Sequence, residues 1–133
     1  MGGTGEYPNY ENYTAANNYS ETLRLVYDPS TLGFADILDA YWRYAPDPTM
    51  PEPDPAYQLR IFYVDEVQRA EATQSVAAAE KAAGAAPGSF LIEIAPASEY
   101  TFWKAEEYHQ HYFDKGGQQC TSAPAQLPSR GRA

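Results

Sequence analysis

Glu21 is the residue whose type and place most invite chemistry. It opens the run Glu21-Thr22-Leu23-Arg24-Leu25-Val26-Tyr27, which alternates as a strand does. Glu21, Leu23, Leu25 and Tyr27 share one face, and Thr22, Arg24 and Val26 share the other. A carboxyl at the mouth of an apolar face is costly as an anion and tends to keep its proton, so it could donate a hydrogen bond or the proton itself. The alternative is a solvated strand end with the register slipped by one residue, and the pattern leaves both open.

Other chemistry-bearing residues are spread along the chain. Glu52 and Asp54 sit among Pro46, Pro48, Pro51, Pro53 and Pro55. Proline fixes its own φ and pushes the preceding residue out of the helical region, so these acids lie on a stiff, extended loop. Such a loop can carry site residues or simply connect elements. Glu106, Glu107, His109 and His111 have the composition of a metal site. On a helix, however, two histidines two positions apart diverge by roughly 200°, and a solvated face is the reading adopted, with no metal expected. Cys120 is the single cysteine, so neither an intramolecular disulfide nor a cysteine metal cage can form.

The elements that must position these residues follow from composition and period. The 133 residues suit one domain with one core. The 11 prolines and 9 glycines, with a mean hydropathy of -0.58, assign much of the chain to loops. Twelve tyrosines suit a pocket that is apolar yet hydrogen-bonding, or a half-buried surface. A net charge of -9 argues against nucleic acid and anionic membrane as partners. No apolar run is long enough to span a bilayer. The first residues lack the pattern of a signal peptide, and a lone cysteine fits a reducing, intracellular compartment.

Residues 1–18 read as loop. After the 21–27 strand, Asp28-Pro29-Ser30-Thr31 turns the chain and offers hydroxyls as helix caps. Phe34, Ile37, Leu38, Tyr41 and Trp42 then make one face of an amphipathic helix. A second strand spans 57–64. Asp65, with Gln68 three residues on, predicts a capping box for an alanine-rich helix over 66–83, whose thin stripe is Val67, Ala70, Val76, Ala79 and Ala83. Gly84, Pro87 and Gly88 stop it, and 90–94 is a third strand. A short helix is expected over 104–114 and a disordered tail over 118–133. This order makes a small two-layer α+β or α/β domain.

Several stretches resemble the type A methionine sulfoxide reductases, the peptide-methionine (S)-S-oxide reductases. They are Gly2-Gly3, Tyr27-Asp28-Pro29, Tyr41-Trp42, Ile61-Phe62-Tyr63, Glu93-Ile94 with Pro96-Ala97-Ser98, and Ala105-Glu106-Glu107-Tyr108-His109-Gln110. The resemblance implies a ferredoxin-like, two-layer α+β sandwich over residues 1–117. It implies that the family's catalytic acid falls on Glu21, and that two substrate-binding tyrosines fall on Tyr10 and Tyr57. It also places a substrate-binding aspartate at Asp54, with Gln58 where the family has arginine.

In that family a cysteine thiolate attacks the sulfoxide sulfur while the acid and the tyrosines hydrogen-bond its oxygen, which finally leaves as water. The resulting sulfenic acid condenses with a second cysteine, and thioredoxin or another thiol is the reductant, with no bound cofactor. The family's nucleophile belongs to a Gly-Cys-Phe-Trp motif that this sequence does not contain. The resemblance gives Cys120 a resolving role at most. The expectation is therefore a chain whose start lies upstream, lacking the family's first strand and helix and unable to complete the reaction unaided. The alternative is a catalytically inactive binding module that keeps the Tyr/Glu pocket.

Overall fold

The computed structural model describes residues 2–3, 19–112 and 114–116. Strand β1 is Gly2–Gly3, helix α1 is Phe34–Tyr44, strand β2 is Leu59–Tyr63 and helix α2 is Glu66–Ala82. Strands β3, Ile92–Pro96, and β4, Thr101–Phe102, follow. Strands β2 and β3 pair in parallel, with Leu59 opposite Ile92 and Ile61 opposite Ile94. Parallel neighbours need a crossover, and α2 is that crossover. Strands β1 and β4 form a separate antiparallel pair, Gly2 opposite Phe102. The protein is thus a small α+β domain, with a short parallel sheet and two helices.

The core lies between the helices and the β2–β3 pair. Leu38 of α1, Ile61 of β2 and Ala72 of α2 form one buried cluster; Trp42, Ala45, Ala79 and Phe90 form another. Tyr41, Val76 and Ile92 pack against both and join them. Ala72 and Ala79, one face of α2, let Leu38 and Trp42 approach closely, so the large side chains of α1 fill the space that alanines leave. Trp42 also donates from Nε1 to Ser75 Oγ at 2.7 Å, which satisfies its buried indole N–H.

Four local differences from the sequence expectation have physical causes. First, residues 21–28 form no regular strand. Among the described residues their one backbone bond outside turns is from Glu21 N–H to Ala56 O at 2.8 Å, and Val26 is 96% exposed. Alternation shows that a segment suits a pleated surface, but a strand exists only where a partner satisfies its backbone groups.

Second, the hydroxyls of Ser30 and Thr31 do not cap α1. Both bond back to Asp28, and the helix start is closed instead by Gly33 N–H donating to Asp36 Oδ2 at 3.1 Å. Third, Asp65 caps α2 as expected, accepting from Gln68 N–H at 2.8 Å, but Gln68 reaches back to Val64 N–H rather than to Asp65. The buried face of α2 holds Ala72, Ala79 and Glu80, while Val67 is exposed. An alanine-rich helix has little apolar asymmetry, so its partner chooses the face. Fourth, among the described residues of the 104–114 segment the only helical element is one turn of 3-10 helix, Glu107–His109, and His111 adopts φ +52°. That left-handed conformation cannot continue a right-handed helix.

Candidate active site

The backbone at Glu21 is bonded to the turn that carries Tyr57, and short-range chemistry explains why. Asp54 is the N-cap of a 3-10 turn, Pro55–Tyr57; its carboxylate accepts from Ala56 N–H at 2.9 Å, and its carbonyl accepts from Tyr57 N–H at 3.0 Å. Pro55 at the first position of the turn has no N–H to leave unsatisfied. The turn buries Ala56 and turns its carbonyl toward the preceding segment, where it accepts from Glu21 N–H at 2.8 Å. Tyr19 and Ser20, both buried, anchor that segment immediately before Glu21.

Glu21 itself is exposed, as are Leu23 and Leu25 of its expected apolar face, so the solvated alternative holds; its carboxylate makes no hydrogen bond or ion pair with a described residue. Tyr57 is 50% exposed. The corner therefore carries an exposed acid and a half-exposed tyrosine on backbone held by the Glu21–Ala56 bond and the Asp54 cap. Beside it, Ser20 Oγ is excluded from water and has no hydrogen-bond partner among the described residues. Asp54, expected as a substrate contact, holds the turn that carries Tyr57. Tyr10 and Cys120 lie outside the described residues.

An open groove of about 400 Å³ adjoins this corner, between the proline-rich loop and the starts of β2 and β3. Tyr57 lines it together with Met50, Pro51 and Leu91, and Asp47 and Glu52 stand among its polar groups. The loop is fixed to the sheet by Leu91 N–H donating to Pro48 O at 2.7 Å. Asp47 accepts from the hydroxyl and from the N–H of Thr49, and these bonds, the hydroxyl's first, lower its carboxyl from its ordinary value.

Two further networks stabilise the surroundings. Arg60, almost wholly buried, pairs with Glu93 across the parallel register at 2.6 Å, and Tyr100 O–H donates to the same carboxylate. Burial, and then the bond to Glu93, push the Tyr100 phenol up. Glu80, on the buried face of α2, accepts from Gly88 N–H at 2.9 Å and Phe90 N–H at 3.1 Å. The Gly88 bond, followed by that from Phe90, holds its carboxyl below its ordinary value despite its 4% exposure. Gly88 has φ +77°, a left-handed turn open to glycine. None of these networks was singled out from sequence. For Glu80 the available signal was an acid on the expected core side of a helix shortly before a Pro-Gly turn.

His109 and His111 face separate acids, Glu106 at 3.8 Å and Asp114 at 3.2 Å. Among the described residues no group of three or more His, Cys, Asp or Glu could hold a metal ion. No helix among them is long and apolar enough to cross a membrane.

Comparison with known proteins identifies the family. The family model described as "Peptide methionine sulfoxide reductase" matches residues 1–130. The chain is 42% identical over 127 residues to peptide methionine sulfoxide reductase MsrA of Methanoculleus marisnigri, covering 90% of this chain and 75% of that protein. It is 38% identical over 122 residues to the MsrA of Methanosarcina acetivorans, covering 87% of this chain and 63% of that one. With the MsrA of Nocardia farcinica the identity is 34% over 116 residues, 84% of this chain and 64% of the other. The chain belongs to the peptide methionine sulfoxide reductase family, and it spans about three quarters or less of the length of these relatives.

Proposed function

We propose that the protein acts in the thiol-dependent reduction of peptide methionine (S)-sulfoxide, and that the Glu21–Tyr57 corner receives the sulfoxide oxygen. Family membership supports the reaction class. The observation that carries the placement is the 2.8 Å bond from Glu21 N–H to Ala56 O, one residue from Tyr57, which ties the two candidate groups to the same turn. The fold assigned with this reading is the family's ferredoxin-like sandwich, with residues 1–117 as the reductase-like part and 118–133 as a tail.

The chemistry needs donors at the oxygen and a nucleophile at the sulfur. In the ground state the S–O oxygen already carries negative charge, and donors aimed at it stabilise the greater charge that develops as a thiolate adds to sulfur. Glu21 is the proton donor to that oxygen, while the phenols of Tyr57 and Tyr10 hydrogen-bond it. Oxygen passes to the attacking sulfur as a sulfenic acid and the substrate leaves as methionine. A second thiol then displaces it as water with formation of a disulfide, so two thiols are consumed per sulfoxide. Cys120, the sole cysteine, takes the resolving role, and the attacking thiol comes from outside these 133 residues. A dithiol of the thioredoxin type closes the cycle.

The test is to follow conversion of a methionine (S)-sulfoxide peptide to the methionine peptide by mass spectrometry, with dithiothreitol or thioredoxin present. Conversion above the rate of the thiol alone, abolished by Glu21→Gln, is expected. A folded sample that neither binds the peptide nor speeds its reduction refutes the reading. A second reading, a binding module that holds oxidised methionine without reducing it, is favoured by the single cysteine, because disulfide formation takes two thiols. Binding of the sulfoxide peptide without acceleration selects it.

A further inference from the structure

We propose that the groove between loop 46–52 and the starts of β2 and β3 docks the peptide backbone beside the oxidised methionine and selects a basic side chain there. This rests on the reading above for the neighbouring corner, which the groove meets at Tyr57.

The groove has two properties that suit a lysine or arginine. Its surface is apolar where Met50, Tyr57 and Leu91, all well exposed, line it. Its charged groups are all acidic, Asp47, Glu52 and Glu93, with Gln58 as a neutral polar neighbour. Glu93 is already paired with Arg60 at 2.6 Å, and no lysine or arginine is among the lining residues. Asp47 and Glu52 are thus left as carboxylates without a cationic partner in the groove.

A long basic side chain lays its methylene stem on apolar surface and keeps its charged end in water. Met50 and Leu91 offer that surface, and Asp47 and Glu52 offer the counter-charge.

The site is also preformed, which limits the ordering that binding must impose. Pro46, Pro48 and Pro51 stiffen the loop. The bond from Leu91 N–H to Pro48 O fixes the loop to the chain entering β3, and the two bonds from Thr49 fix the Asp47 carboxylate. A volume of about 400 Å³, at the lower end of ordinary ligand pockets, has room for a few side chains of an extended peptide. The net charge of -9 favours approach of a basic segment over an acidic one.

The experiment uses the 133-residue chain and four short synthetic peptides, titrated by calorimetry at low ionic strength. Each carries either methionine (S)-sulfoxide or methionine at its centre, flanked by either lysine or glutamate. The expected result is that the lysine-flanked sulfoxide peptide binds about three- to tenfold more tightly than its glutamate counterpart, the range for one or two solvent-exposed ion pairs. The ratio should shrink toward unity in the Asp47→Asn, Glu52→Gln double variant, whose circular dichroism and urea midpoint confirm that it folds.

Equal binding of the lysine- and glutamate-flanked sulfoxide peptides overturns the groove and leaves the sulfoxide reading standing. A lysine preference that is the same for methionine and sulfoxide peptides upholds the groove and removes the sulfoxide reading. A preference that persists undiminished in the double variant, or no binding of any peptide, also overturns the groove.

Discussion

Asp54 is the residue on which the geometry of the corner turns, and replacing it gives a calculable result. Its carboxylate satisfies Ala56 N–H at 2.9 Å, and Ala56 O in turn accepts from Glu21 N–H at 2.8 Å. Loss of such a cap costs about 1 kcal/mol, within a range of about 0.5–2. The Glu21–Ala56 bond contributes about 1 kcal/mol if the loosened turn breaks it. Asp54→Ala should therefore destabilise the protein by about 1–2 kcal/mol, or about 3–8 °C in Tm for a domain of this size. Asp54→Asn keeps an acceptor at the same place and should cost much less. Urea unfolding gives the difference between the two variants. Amide hydrogen exchange at Glu21 and Ala56 then locates it: both amides should exchange faster in Asp54→Ala than in Asp54→Asn. If the two variants are equally stable and the Glu21 amide is equally protected in both, the cap does not hold the corner together and the reasoning fails.

Elsewhere the same physics gives simpler expectations. Trp42→Phe removes part of a buried ring and the bond to Ser75, for a loss of about 2 kcal/mol; a double-mutant cycle with Ser75→Ala should return a coupling of about 1 kcal/mol by urea denaturation, and additive losses would deny the bond. Glu80 carries a carboxyl whose folded pKa lies below its unfolded value, so its stabilising effect is complete above the unfolded pKa and fades as pH falls through the folded one. Stability of Glu80→Gln should accordingly decline less steeply on acidification, as acid titration followed by circular dichroism would reveal, and an unchanged acid limb would contradict this. Val26→Thr, at a position 96% exposed, should shift stability by less than about 0.5 kcal/mol; a larger loss would mean that the 21–28 segment is packed in solution.

The parts of the fold fixed by local pattern were legible in the sequence. Helix α1 follows from the spacing of Phe34, Leu38, Tyr41 and Trp42, and the start of α2 from the reach of the Asp65 carboxylate. Strand β2 lies within its expected limits because Leu59 and Ile61 alternate with residues of the other face. Strand β3 starts two residues later than its apolar composition suggests, since Leu91 N–H is engaged by Pro48 O and pairing with β2 begins only at Ile92. The 21–27 segment shows the limit of periodicity: Leu23 and Leu25 have the right spacing, but pairing is a non-local property that no window of sequence contains.

The site was legible only in pieces. An aspartate followed by proline at Asp54-Pro55 is a local turn signal, and its capping bond could have been read directly. That Glu21 lies against the far side of this turn depends on a contact spanning 35 residues, from 21 to 56, and alternation alone could not supply it. The groove is still further from local reach. It exists because a proline-rich loop folds over the starts of two strands distant in sequence, bringing Asp47, Tyr57 and Leu91 to one surface.

The most direct check on the proposed corner is nuclear magnetic resonance titration of the chain with a small methionine (S)-sulfoxide amide, beside its (R) epimer and methionine itself. The account predicts that the (S) epimer shifts the Glu21 side-chain carboxyl and Tyr57 ring resonances together, with one saturation curve, while methionine leaves both in place. Saturable shifts confined to other residues, or the same response to all three compounds, would contradict it.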